Sequence, residues 1–180
     1  MKKIVTPLLL SSLLVGCGSS ADYPDAQQGL IDLVEKYHEQ YNDADNAIMR
    51  DRAIESRGDA LCDYFSEDLD VVGWKGVVSS ITTNESGAGL ALSIGGDVSV
   101  KTASSSGSSR AVNSTLIQEG DAMYEMIASL GRGDQVTFSG TLFRDDHPEC
   151  LFEWSLTEYG GVSRPEFMIR FSSIEPDQGS

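Results

Sequence analysis

Basic side chains are scarce in this sequence: 13 Lys and Arg stand against 28 Asp and Glu, a formal charge of −15. Binding a phosphate backbone, or an anionic bilayer through a basic patch, gains free energy by neutralising charge with Lys and Arg. The balance argues against nucleic acid and anionic head groups as partners, and leaves a soluble module or one with a cationic partner. Long apolar runs are also missing. The longest, Ile4 to Val15, is interrupted by Thr6, Pro7, Ser11 and Ser12 and falls short of the ~20 residues that span a bilayer. No Gly-x-Ser-x-Gly elbow, His-Glu-x-x-His pair or phosphate loop is present. His38 and His147 are the only histidines, and no free cysteine is placed to pair with either. With 28 acids a carboxylate pair can always be assembled, so such a pair decides nothing. The expectation is a non-enzymatic protein without a cofactor.

What is present begins with an address. Lys2 and Lys3 form a positive start, Ile4 to Val15 an apolar core of signal-peptide length, and Leu14-Val15-Gly16-Cys17 closes the stretch. Together these features resemble the signal and lipobox of bacterial lipoproteins. The resemblance implies export, cleavage before Cys17, and lipidation of that cysteine at its thiol and new amine. Three acyl chains anchor stably where one binds only marginally. Gly18 and Ser19 stand where, in enteric-type bacteria, an aspartate favours the inner membrane, so the expected location is the cell envelope, lipid-anchored at the outer membrane. An ordinary secretory signal with an incidental cysteine is the alternative. On this reading residues 1–16 are the signal peptide and 17–22 the lipidated cysteine and its tether. The mature chain then keeps 11 basic residues against 28 acids, a charge of −17. With Cys17 occupied, Cys62 and Cys150 remain, and an oxidising compartment allows them one disulfide. Closing so long a loop stabilises by about 4 kcal/mol in the chain-entropy model. Two buried free thiols are the alternative.

The mature chain divides by period. Tyr23-Pro24-Asp25 is a helix start, with Pro suited to the first turn and Asp25 to the positive end of the dipole. Leu30, Val34, Tyr37, Tyr41, Ala44 and Ile48 follow at helical spacing, with Arg50, Arg52 and Arg57 on a polar face. This predicts one N-terminal amphipathic helix reaching Gly58 or Phe65, within a helical segment 23–66. From Asp70 the period becomes two. Predicted strands cover 71–81, 90–94 and 98–102, the second and third joined at Gly95-Gly96. A mobile Ser/Gly loop follows at 104–109, then a short helix over 121–130. Strands resume at 135–143, 150–157 and 167–174. Residues 67–175 are read as one β domain and 176–180 as a tail.

The order of bent strand, two strands, helix and further strands is that of an OB-fold. Gly73-Trp74-Lys75-Gly76-Val77 and Gly133-Asp134-Gln135-Val136-Thr137-Phe138-Ser139-Gly140 resemble phrases of small bacterial OB-like exported domains. The resemblance implies an α+β, mostly β chain: an N-terminal helix before a small barrel of five to six strands with one short helix. It brings no catalytic residues. Ligands of OB-folds lie across strands two and three, and the residues that could line such a groove are Trp74, Lys75, Lys101 and Arg170. The segment 90–102 holds no stacking aromatic of the kind single-strand binders use. Asp145, Asp146, His147 and Glu149 form the densest polar cluster and are weak metal candidates. Pro148 breaks their spacing, and a solvated hairpin loop is the better reading. Arg132-Gly133-Asp134 is read as turn chemistry, not as a recognition tripeptide. The expected function is an envelope lipoprotein that binds a protein or small ligand. The alternatives are a metal-dependent or hydrolytic enzyme using acidic loops, and a structural protein pairing through its N-terminal helix.

Overall fold

The computed structural model describes residues 22–103, 114–145 and 150–177. Cys17 with the expected export signal, the predicted Ser/Gly loop, and Asp146, His147 and Glu149 lie outside the described residues.

Two N-terminal helices replace the single one expected: α1 spans Asp25–Asn42 and α2 spans Ala47–Tyr64. Leu30, Val34 and Tyr37 are buried as their period requires, but Ile48 is 65 % exposed, so the stripe ends before it. Between the helices lies Asp43-Ala44-Asp45-Asn46. Short polar side chains compete for backbone hydrogen bonds and favour caps over helix interiors. Asn46 caps α2, its side chain accepting from the Met49 N–H at 3.1 Å. The two helices fold back on each other, and the Tyr64 hydroxyl donates to the Ala26 carbonyl at 2.9 Å.

Among the described residues five strands follow: β1 Asp70–Asn84, β2 Gly87–Gly95, β3 Val98–Lys101, β4 Gln135–Leu142 and β5 Glu166–Pro176. Helix α3, Ala122–Ala128, lies between β3 and β4, and α4, Glu158–Ser163, between β4 and β5. The strands hydrogen-bond in the order β1-β2-β3-β5-β4, and β1 also pairs with β4, closing a ring that is not evenly round an axis. Only β3 and β5 run parallel, so the sheet is mixed. Helix and strand claim about equal numbers of residues. The expectation of a mostly β chain is therefore corrected, because α2 and α4 were not foreseen as separate helices.

β1 closes the ring because it is long enough for two partners. Its first half pairs with β4 and its second half with β2. The register against β4 shifts between Val71 and Trp74, where Gly73 takes φ +66. That left-handed conformation suits glycine, and it bends the strand. The β2–β3 hairpin turns on Gly96 and Asp97, φ 55 and 60, between the paired Gly95 and Val98. Positive φ at both central residues matches the right-handed twist of the strands; the turn sits one residue beyond Gly95-Gly96. The predicted strand 150–157 is not one. Single bridges join Leu151 to Arg144 and Glu153 to Phe167, and Thr157 caps α4, accepting from the Gly160 N–H at 3.0 Å. The Glu153–Phe167 bridge uses the part of β5 that β4 leaves uncovered, since β4 pairs with it only from Ile169 onward.

One core runs through the molecule. Trp74, Phe138 and Phe171 meet edge-to-face inside the ring, with centroids 6.4 and 5.5 Å apart. Leu90, Leu92, Val100, Val136 and Ile169 fill in around them, and Leu30, Val34, Leu61 and Phe65 join from the helices. Such apolar burial is the main favourable term in folding. Here it makes the helical hairpin part of the barrel's core, not an appendage.

Candidate functional site

The residues expected to line a groove do not form one surface. Trp74 is 2 % exposed and packs against Phe138, so it is core and lines no groove. Its place on the inward period of β1, opposite Phe138, accounts for this. Lys75, next along β1, is half-buried, and its backbone N–H and carbonyl are both bonded to the Gln27 side chain. Lys101 on β3 pairs with Glu166, and its ammonium lies 5.9 Å from the Trp154 ring. Arg170 on β5 lies 5.1 Å over Phe143. The two cations of β3 and β5 are thus each engaged with a local partner. Of the predicted metal cluster only Asp145 is described. Among the described residues no group of three or more His, Cys, Asp or Glu is gathered to hold a metal, and no helix is long and apolar enough to cross a membrane. Arg132-Gly133-Asp134 is a turn: Gly133 has φ +96, and the Asp134 carboxylate accepts from the Gly131 N–H at 2.8 Å.

Cys62 on α2 and Cys150 stand at disulfide distance, with Cα atoms 5.4 Å apart. The link holds α2 against the segment leading to α4, and a cleft of about 630 Å³ opens between these two. Asp51, Ile54 and Glu55 of α2 form one wall. Ser155, Leu156, Thr157 and Glu158 form the other, with Val162 and Gly161 behind. Arg57 and Glu153 lie at its base, joined at 3.3 Å, with side chains only 5 % and 7 % exposed. Arg57 therefore does not continue the polar face expected of it. The pair is incompletely satisfied: Arg57 Nε and Glu153 Oε1 are both buried without a hydrogen-bond partner. Buried charge costs several kcal/mol per ion unless its remaining donors and acceptors are met; His38 Nε2 and Trp154 Nε1 are also buried without a partner, but these two atoms belong to charged groups.

The rim is apolar and acidic together. Leu156 is 99 % exposed and Tyr159 55 %. Tyr41 donates its hydroxyl to Glu158 at 3.0 Å and lies beside Tyr159, ring centroids 6.1 Å apart. Its phenol is raised above the ordinary 10.0, first by desolvation and then by the Glu158 carboxylate it serves.

Glu153, Arg57 and Gln27 were not singled out by sequence reasoning. The sequence holds a weak signal for Arg57, which falls four residues before Leu61 and four after Ala53, both buried. Nothing local marks Glu153 or Gln27. No family profile, curated protein or solved structure matches this chain.

Proposed function

We propose that this chain is an envelope lipoprotein, anchored through Cys17, whose OB-type domain is a non-enzymatic binding module, and that it binds through the cleft between α2 and residues 153–162. The OB assignment is supported by the strand order β1-β2-β3-β5-β4, the parallel β3–β5 pair and a helix between β3 and β4. The binding assignment rests on one observation: a cleft of about 630 Å³ whose base is a buried ion pair with unmet polar atoms. A concave site of several hundred Å³ with convergent polar groups has the size of a ligand pocket; the walls here are mostly polar, with Ile54, Leu156 and Val162 as the apolar part. The site differs from the usual OB groove because Trp74 is in the core and Lys101 is held by Glu166.

A photo-cross-linking residue at Leu156, which is almost fully exposed, tests the reading in intact envelopes. A discrete adduct is expected there, lost when Gly161→Trp fills the cleft, and absent from Val72 on β1. Equal adducts from both positions, or none from Leu156, would overturn it. Cys17→Ser is expected to release the protein from the membrane fraction, and an unacylated wild-type N-terminus by intact mass would overturn the anchor.

A further inference from the structure

Arg144 connects parts of the chain that are far apart. It lies two residues beyond β4, and its guanidinium donates to the carbonyls of Phe65 and Ser66 at the end of α2. Its Nη1 stands 3.2 Å from Cys150 Sγ. A bonded sulfur is a weak acceptor and gains little from such a donor. A thiolate at the same place would gain much more, since a neighbouring guanidinium stabilises the charged form. A cation is thus stationed beside one sulfur of the Cys62–Cys150 link, where it matters chiefly when the link opens.

The two cysteines differ in access. Cys150 is fully buried, whereas Cys62 is half-buried and is followed by exposed Asp63 and Tyr64. Cys150 also takes φ 62, a left-handed backbone that crowds a β-carbon. Residues kept in that region are held there by their surroundings, and the link to α2 is one such hold. Thiol–disulfide exchange runs fastest where an accessible sulfur is attacked and the departing sulfur carries its charge well. Here these conditions select Cys62 as the cysteine attacked and Cys150 as the one that leaves.

We infer that the Cys62–Cys150 link is an exchange site for an external dithiol, opened by attack at Cys62, with Arg144 stabilising the Cys150 thiolate that departs. A thiolate of the dithiol bonds to Cys62 Sγ as the Cys62–Cys150 bond breaks, and the electron pair leaves on Cys150 Sγ. The dithiol's second sulfur, once deprotonated, attacks its first in the mixed disulfide and expels the Cys62 thiolate. Two electrons have then passed to the cysteines, the dithiol leaves as a disulfide, and its two protons go to the new thiols by way of solvent. The Arg57–Glu153 pair still ties α2 to the segment after Cys150, so opening loosens the helix without freeing it.

The test uses the full chain in detergent, with glutathione and dithiothreitol as probes. Peptide mapping without reductant is expected to find Cys62 and Cys150 linked. After brief exposure to glutathione and an acid quench, the mixed disulfide is expected on Cys62, with Cys150 as the free thiol. Opening by dithiothreitol, followed by alkylation and intact mass, is expected to slow about tenfold in Arg144→Gln. Arg144→Lys, which keeps the charge, is expected to recover part of that rate. Both cysteines recovered free from the untreated protein would overturn the inference. So would glutathione on Cys150, or on the two alike, or a link that neither probe opens in the folded chain. An Arg144→Gln rate equal to or above wild type would overturn it as well. The mapping and trapping use only the wild type, so they decide the matter even where Arg144→Gln folds poorly.

Discussion

A single amide joins the helices to the sheet. Gln27 on α1 is fully buried; its Nε2 donates to the Lys75 and Ile94 carbonyls at 2.7 and 2.8 Å, and its Oε1 accepts from the Lys75 N–H at 2.8 Å. β1 and β2 pair only from Val77 onward, so this side chain serves backbone groups that no neighbouring strand reaches. Gln27→Ala would leave three backbone groups without this partner, one buried and two part-buried, and urea titration is expected to show a loss of about 2–4 kcal/mol. Such a role is illegible in sequence, because the partners lie 48 and 67 positions away and a glutamine on a helix looks like surface. Tyr64 offers a pH-dependent counterpart. Its phenol is raised above 10.0, first by desolvation and then by Asp32 and Asp25. A raised folded pKa means that the neutral phenol is favoured in the fold. The contribution is complete below 10.0 and is lost as pH rises through the folded value, when the hydroxyl can no longer donate to Ala26. The stability gap between wild type and Tyr64→Phe is expected to close above about pH 10 in denaturant titrations. A gap constant from neutral pH to pH 11 would refute it.

Among the elements, strands proved more legible than helices. Each of the five observed strands lies where apolar and polar residues alternate, because a strand with one buried face writes its period of two directly into sequence. The α1–α2 break was obscured by Ala44 and Ile48, which happen to continue the stripe of α1. The cluster Asn42-Asp43 and Asp45-Asn46 was the contrary signal. Residues 150–157 fail as a strand for another reason: β5 offers them only a short uncovered edge, a property of the ring and not of the segment. The Arg57–Glu153 pair belongs to this scale, since it joins α2 to that segment across 96 positions. Arg57→Met leaves a buried carboxylate unpaired and is expected to cost about 3–5 kcal/mol, whereas Arg57→Met with Glu153→Leu should recover most of that loss. A double variant as unstable as the single one would mean that packing, not charge, dominates the site.

For the molecule as a whole, charge should override architecture. Ring-shaped domains of this strand order often bind single-stranded nucleic acid with aromatic and basic groups. Here Lys101 is neutralised by Glu166, and the outward positions of β2 and β3 carry no aromatic side chain. Fluorescence anisotropy at micromolar protein and physiological salt is expected to show no binding of single-stranded DNA or RNA. A saturable, salt-sensitive signal would mean that Lys75, Lys101 and Arg170 act together despite their positions. The closed order was partly foreseeable, because a helix between the third and fourth strands restricts how a five-stranded sheet can be connected. The helical hairpin's share of the core was not, because Leu61 and Phe65 become core only by meeting strands that come later in the chain.

The cysteine pair has a mechanical consequence. Cys62 and Cys150 are 88 positions apart, and the interval holds β1, β2, β3, α3 and β4. Tension applied through the chain's two ends would pass from α2 across the sulfur bridge to α4 and β5, bypassing everything between. Peeling would begin with the helices and β5, while four of the five strands carried no load. The bridged chain would stop about 300 Å short of its reduced length, which makes the disulfide a limit on how far the domain can be drawn out from whatever holds its N-terminal end.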